Sequence, residues 1–468
     1  MRTERLAGFV IDTPAASIPR ELLSCAADAF LDTVGVALAG TREPASQLAV
    51  RWVQGIGGNG VASVWGTAVR APAAEAAFAN GVAAHALDFD DSLPSLRSHP
   101  SATMVPTALA VGEATGASGR DVAGAYVLGL EVAGKLGKAL GNAHFQRGWH
   151  TTATIGIFAC TAVAGRLLGL DTRGLQTAWG IAASQMSGLT RNFSTMTKPL
   201  HAGHAARCAV MSASLAHSGF TADTAIFDGD RSVVATYGSE NGTDLAGALD
   251  QLGAPWEIVN PGIYVKRWAC CYCNHRPLGG LFQLLSEHQI ATEEVESVSI
   301  GFLPGSDTAL LSSNPSTGLE GKFSIEYVVA AALLDRRITL ETFTDDMVRR
   351  PRIRELIGKV RRYRIEDDGV YSGLVGHTDV EIATRRGRFR LRVEKTPGSP
   401  AWPVSAEDRV AKFLDCSGRV LGEEGARHVL ALGRLFTQAP DVATFARAMQ
   451  GRAADERTRA PAYARSAG

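Results

Sequence analysis

Three stretches of this 468-residue chain set ionisable side chains among small apolar residues. They read HALDFDDSLPSLRSHPSATMVPTALAV (85–111), GWHTTATIGIFACTAVAGRLLGL (148–170) and MTKPLHAGHAARCAVMSASLAHSGF (196–220). Burying a histidine or lysine without a partner is costly, so such clusters point to a pocket. An imidazole titrating near pH 6.5 can move a proton in either direction, which suits His99 and His150 to acid–base work. The competing readings are a surface-loop histidine for His99 and a helix-capping or core histidine for His150. Lys198 precedes Pro199, which places it in the first turn of a helix. That end carries partial positive charge and favours a substrate carboxylate beside the lysine. A solvated cap lysine is the alternative. His201 and His204, one turn apart, read as packing or supporting groups.

The aspartates of Asp88-Phe89-Asp90-Asp91 admit three roles. They can end a helix and hold a loop through backbone N–H groups, with one of them near the pocket. They can bind Mg²⁺, or one can serve as the acid of a D-x-D-D terpene cyclase. Loop shaping ranks first, metal second and cyclisation last, because a carbocation cavity needs aromatic walls and only 7% of the chain is aromatic. Cys270, Cys271, Cys273 and His275 form half of a zinc pattern without a second half, so buried structural cysteines around a functional histidine are expected. The run GIGGNG (55–60) matches G-x-G-x-x-G, but the strand-like segment follows it instead of preceding it. No nucleotide cofactor and no metal are expected.

The bulk numbers bound the rest. Hydrophobic residues make up 46% and charged residues 20% of the chain, as in an ordinary globular protein. Lys plus Arg (47) equals Asp plus Glu (47), which disfavours nucleic acid or an acidic membrane as partner. The first residues lack a signal-peptide run, and no uninterrupted apolar stretch approaches the roughly 20 residues of a membrane span. Seven cysteines form no disulfide framework, so a cytoplasmic location is expected.

The elements that must position these residues are mostly helices. Residues 17–40 carry a start signal at Ser17 and Pro19 and a stop at Gly40. Helical patterns recur at about 73–87, 103–115, 120–140, 151–168, 174–187, 199–218 and 243–252. Only 60–67 reads as strand before residue 255. Beyond 260, 294–303 and 376–395 alternate apolar and polar residues, the latter with a hairpin turn at Arg386-Gly387. Residues 323–335, 344–360 and 405–450 read as helices. The expected fold is mainly α with an α+β second domain: a helical domain over 1–264, an α+β lid over 265–402, a helical return over 403–450 and a disordered tail over 451–468.

Together these segments resemble the MmgE/PrpD family, which includes 2-methylcitrate dehydratases, cis-aconitate decarboxylases and iminodisuccinate epimerases. The resemblance runs from LDTVGVALAG (31–40) through AAFANGVAAHALDFDDS (76–92), GWHTTATIG (148–156) and KPLHAGHAA (198–206) to GKFSIEYVVA (321–330). It implies a helical domain with an α+β lid, a homodimer, and no required metal or organic cofactor. Carried over by motif, Asp88 opens the D-x-D-D-T pattern with Ser92 in the threonine position. His99 matches the histidine of H-P-S in a loop one residue longer than in the decarboxylase branch, and His150 that of G-W/F-H. Lys198 matches the lysine before the helix, Lys266 that of K-x-Y-P, His275 the histidine closing the cysteine segment, and Tyr327 the tyrosine after F-S. Here Lys266 is followed by Arg267-Trp268-Ala269, so the tyrosine and proline of that motif are missing.

The resemblance implies a cofactor-independent lyase that forms a carbanion or enediolate-like centre on a small di- or tricarboxylate. Lys198 and His275 would bind carboxylates, helped by Lys266 and Arg276. His99 and His150 would transfer protons, Asp88 would orient one of them, and Ser92 would donate a hydrogen bond. An epimerase or isomerase of a small dicarboxylate is the second reading. A non-catalytic dimeric binding protein is the alternative of another class.

Overall fold

The computed structural model of the protein describes residues 1–238, 244–369 and 371–451. The disordered tail expected from 451 onward lies, from residue 452, outside the described residues. The first part of the chain is helical: α1 (Arg2–Asp12), α2 (Arg20–Gly40), α3 (Pro44–Ile56), α4 (Ala73–Ala86), α5 (Ser101–Thr115) and α6 (Gly119–Gln146). It continues with α7 (Thr151–Thr154), α8 (Gly156–Leu167), α9 (Thr172–Ala183), α10 (Thr197–His217), α11 (Val233–Tyr237) and α12 (Leu245–Leu249). A short antiparallel ribbon, β1 (Ala62–Ser63) with β2 (Arg70–Ala71), lies between α3 and α4.

The second part is mixed. In order it holds α13 (His275–Glu287), β3 (Val295–Phe302), α14 (Gly318–Gly321), α15 (Ile325–Asp335), α16 (Asp345–Arg349), α17 (Pro351–Ile357), β4 (Val360–Arg364), β5 (Thr378–Thr384) and β6 (Gly387–Val393). The sheet runs β4-β3-β5-β6, with β3 and β4 parallel and the other pairs antiparallel. Helix α13 covers β5 and β6, and α15 packs on α13 and α17. The chain ends in α18 (Ala406–Arg434) and α19 (Ala443–Ala448), and α18 lies along α2. The result is a large helical region with a smaller α+β region, as the sequence implied.

Several details differ from the sequence reading, each for a local reason. Helix α2 starts at Arg20 with Pro19 as its cap, because Ser17 sits in the preceding 3₁₀ turn. Segment 344–360 is cut in two at Pro351, which cannot donate the helical bond, and its end joins β4. The hairpin loop is Arg385-Arg386, since Gly387 at φ +136° already pairs with Thr384. Helices α1 and α3 and strand β4 were not foreseen. The sequence of β4, VRRYR, buries only Val360 and shows no apolar alternation. Helix α2 is long and apolar enough to cross a membrane by length and composition, yet 67% of its most apolar window is buried against neighbours that include α4, α6 and α18. Its apolarity answers to the core.

Helices α4 and α10 make the most extensive helix pair, and small residues allow it. A Cβ added at Gly81 would sit 2.8 Å from the Cα of Gly203, with backbone on the far side. The end of α4 carries His85 and leads into Asp88, while the start of α10 carries Lys198, so this crossing sets the spacing of the site. Alanine is the better helix former by about 0.8–1 kcal/mol, but forcing atoms into a packed contact typically costs about 1–3 kcal/mol. Gly81→Ala should therefore lower the urea unfolding midpoint despite its helix propensity. A raised midpoint would show that the two helices can part without loss.

Candidate active site

The end of α4 turns sharply at Asp88, which adopts φ +52°. That turn aims the carboxylate at two lysines from distant parts of the chain. Asp88 Oδ1 accepts from Lys198 Nζ at 2.8 Å and from Lys266 Nζ at 2.6 Å, and Lys266 also donates to the Asp88 carbonyl at 2.8 Å. Lys198 stands in the first turn of α10, where Pro199 follows it, and its ammonium lies 5.3 and 5.2 Å from the ring centres of Phe193 and Phe323. Burial alone would push the Asp88 carboxyl up, but the two ammoniums overcome it and hold it well below the usual carboxylate range. Burial opposes the charge on Lys266, and Asp88 reverses that effect to leave its pKa raised.

The neighbouring aspartates shape the loop. Asp91 accepts from the Ser101 amide at 3.2 Å and the Ser101 hydroxyl at 2.5 Å, capping the start of α5. Burial pushes the Asp91 carboxyl up to about 7 against those hydrogen bonds. Asp90 pairs with His85 Nδ1 at 2.8 Å. The backbones of Ser92 and Tyr264 exchange hydrogen bonds of 2.9 and 2.8 Å, which ties this loop to the segment that delivers Lys266. Lys412 of α18 closes the arrangement by donating to the carbonyls of Phe89 and Lys266, both at 3.0 Å, while pairing with Asp32 at 2.7 Å. Lys322 donates to the Leu87 carbonyl at 2.8 Å.

Two imidazoles face the same cavity. His99 Nδ1 lies 2.7 Å from the Asp91 carbonyl, which can only accept, so that nitrogen carries the proton. In the neutral ring Nε2 is then bare, 3.7 Å from Asp88 Oδ1. His150 Nδ1 meets His201 Nδ1 at 2.9 Å, and its Nε2 is buried with no partner among the described residues. Burial holds both rings well below their ordinary pKa, with Lys266 adding to the effect on His99 and His85 on His150. Both are neutral at pH 7.

The structure brings Asp88, Ser92, His99, His150 and Lys198 to the lining of one cavity. Lys266 sits directly behind Asp88 and is fully buried. His275 lies behind Tyr272, stacked on it with ring centres 4.5 Å apart, and burial pushes its pKa down to about 3. Neither of its ring nitrogens has a hydrogen-bond partner among the described residues. Arg276 directs Nε to the Thr396 hydroxyl at 2.8 Å and is not part of the lining. Tyr327 stands apart from the cavity, contrary to expectation. Ser324 caps α15 by accepting from the Tyr327 amide, which turns the Tyr327 ring into the α+β core, where the Tyr327 hydroxyl donates to the Thr342 carbonyl. Residues not foreseen include His85, Arg97, Phe145, Phe193 and Cys271. Gly141, at φ +70°, breaks α6 where the sequence pattern ended, and the following turns bring Asn142, Phe145 and Gln146 to the cavity.

His85, Asp88, Asp90 and His99 each offer a ligand atom within 4.8 Å of the others, a fuller donor set than the aspartates alone suggested. The charge balance opposes a cation there. Asp88 Oδ1 already holds two ammoniums, and a divalent ion would face both at close range.

A buried carboxylate shared by two lysines thus stands beside two neutral imidazoles on one cavity. The chain belongs to the MmgE/PrpD family: models of the family's N-terminal and C-terminal domains match residues 4–246 and 268–437. It is 26% identical to the cis-aconitate decarboxylase of Homo sapiens over 435 residues, covering 90% of this chain and 89% of that protein. It is 25% identical to the cis-aconitate decarboxylase of Aspergillus terreus over 464 residues, covering 94% of each. At family level the activity is therefore of lyase type on a small carboxylate.

Proposed function

We propose that this protein is a cofactor-independent lyase that acts on a small di- or tricarboxylate through a carbanion or enediolate-like centre. The observation that carries this reading is the Lys198–Asp88–Lys266 cluster beside His99 and His150. Two ammoniums share one carboxylate, so the cluster keeps a net positive charge where negative charge develops next to a substrate carboxylate. In a decarboxylation, the C–C bond to a carboxylate breaks, CO₂ leaves, and the electron pair is delocalised into the remaining conjugated acid. An imidazole that has taken up a proton from solvent then delivers it to carbon, so the step consumes one proton overall. In a dehydration a bare imidazole nitrogen takes the proton from carbon, the electron pair forms the double bond as the C–O bond breaks, and that proton is returned to the departing hydroxide, which leaves as water. Epimerisation of a dicarboxylate is the second reading, favoured by the presence of two imidazoles on one cavity, since it needs a base and an acid.

The test is a panel of citrate, 2-methylcitrate, cis-aconitate and iminodisuccinate followed by NMR, with and without chelator. One of these acids should be consumed, and turnover should survive chelation. Loss of activity on chelation, restored by Zn²⁺ or Mg²⁺, would move the donor set of His85, Asp88, Asp90 and His99 into the mechanism. Ligand-induced thermal stabilisation with no turnover on any acid would favour the non-catalytic binding protein.

A further inference from the structure

We propose that Arg97 is a substrate-binding residue that takes a second carboxylate, distal to the reacting carbon, and so selects for polycarboxylates. The inference rests on the small-carboxylate reading above and deepens it. Arg97 lines the same cavity as Lys198, His99 and His150. The other cations around the site that meet a carboxylate are already committed: Lys198 and Lys266 hold Asp88, and Lys412 holds Asp32. Arg97 forms no ion pair among the described residues, and its guanidinium has one hydrogen bond, from Nη1 to the Gly137 carbonyl at 3.1 Å. Nε and Nη2 have no acceptor among the described residues. A half-buried, always-charged fork with two free donor positions suits an incoming carboxylate.

The backbone supports the same assignment. Arg97 adopts φ +58°, a left-handed conformation that disfavours any side chain with a Cβ by about 1–2 kcal/mol. Glycine would fit this turn better, so the arginine is kept at a local disadvantage. The turn is fixed from several directions. The Arg97 amide donates to the Leu93 carbonyl at 2.9 Å, and the Leu93 amide donates to the Ser98 carbonyl at 2.8 Å. The Thr151 hydroxyl donates to the Arg97 carbonyl at 3.3 Å, and the Ser98 and Thr152 hydroxyls are hydrogen-bonded to each other. A rigid turn pre-organises the guanidinium, which reduces the ordering lost on binding. The lining also carries apolar side chains, among them Phe145, Phe193, Phe323 and Leu374. The arrangement fits a short carbon chain bearing carboxylates at separate positions.

Arg97→Gly and Arg97→Lys test the assignment against a structural role. Arg97→Gly removes the guanidinium and relieves the backbone, so its melting temperature should equal or exceed that of the parent. KM for the substrate identified in the panel should rise about 10- to 100-fold, the range of a lost charge-assisted hydrogen bond, with kcat within about threefold. Arg97→Lys should recover part of that loss, and an analogue with the distal carboxylate esterified should no longer distinguish parent from variant. KM for every turned-over acid within twofold of the parent would overturn the assignment and leave the lyase reading intact. If the panel shows no turnover, calorimetry with propane-1,2,3-tricarboxylate separates the two claims. Binding by the parent that weakens at least tenfold in Arg97→Gly supports the role of Arg97 while the lyase reading fails; equal binding, or none by the parent, removes the role.

Discussion

Asp88→Asn should destabilise the protein by about 3–5 kcal/mol, the usual penalty for removing one partner of a buried ion pair. The substitution leaves the ammoniums of Lys198 and Lys266, which share Asp88 Oδ1 at 2.8 and 2.6 Å, with no negative charge between them. Urea unfolding at pH 7 measures the loss, and Asp88→Asn/Lys266→Met should recover much of it by removing one stranded cation. A loss below about 1 kcal/mol would mean that water or a rearrangement screens the lysines and that the cluster is not a fixed counter-ion system. The pH dependence supplies a second check. Asp88 has a depressed folded pKa, so its contribution is present above the unfolded value near 4 and is lost as pH falls through the folded value. His99 and His150 are also depressed, so the folded state disfavours their protonation and loses stability as pH falls below about 6.5. The parent should lose stability in two stages on acidification. Asp88→Asn should keep the histidine stage and lack the Asp88 component of the carboxylate stage.

Much of the make-up of this cavity was legible because its residues are conspicuous where they stand. A lysine before Pro199, a histidine before a run of Thr, Ala and Gly, and three aspartates after an alanine-rich helix contrast with their surroundings. The structure brings Asp88, Ser92, His99, His150 and Lys198 to one lining. What the sequence hid depends on three-dimensional reach. Arg97 is one arginine in a polar loop, and only the turn closed between Leu93 and Ser98 shows where it stands. His85 reaches Asp90 because the helix ends between them, which no spacing rule announces. Tyr327 failed through register: Ser324 caps its helix, and position three of that helix faces inward. Strand β4 was lost because its exposed positions carry arginines, which suits an edge strand but erases the alternation that reveals one.

His99→Gln and His150→Gln should each lower kcat by about 10²- to 10⁴-fold, the usual range for loss of a general acid or base, with ligand affinity kept within about tenfold. The two rings reach the cavity differently, which allows a sharper substitution at position 99. His99 donates from Nδ1 to the Asp91 carbonyl and leaves Nε2 for chemistry. Asparagine can place an amide N–H near the Nδ1 position and offers nothing at Nε2. His99→Asn should therefore hold the loop and the melting temperature while losing kcat as fully as His99→Gln. A purely structural His99 makes the opposite forecast, with His99→Asn near normal in kcat. At position 150, the contact with His201 at 2.9 Å sets which nitrogen carries the proton. His201→Leu should shift the pH profile of kcat/KM without removing the cavity-facing ring. Burial depresses both imidazoles, so if they transfer the proton the acid limb of the parent's kcat/KM profile should lie below pH 6.5. A limb above pH 7, together with near-normal kcat in stable His99 and His150 variants, would take both residues out of the proton-transfer step. The proton would then have to come from elsewhere, and one ring in reserve is His275, stacked on the cavity-lining Tyr272 with both ring nitrogens unpartnered among the described residues.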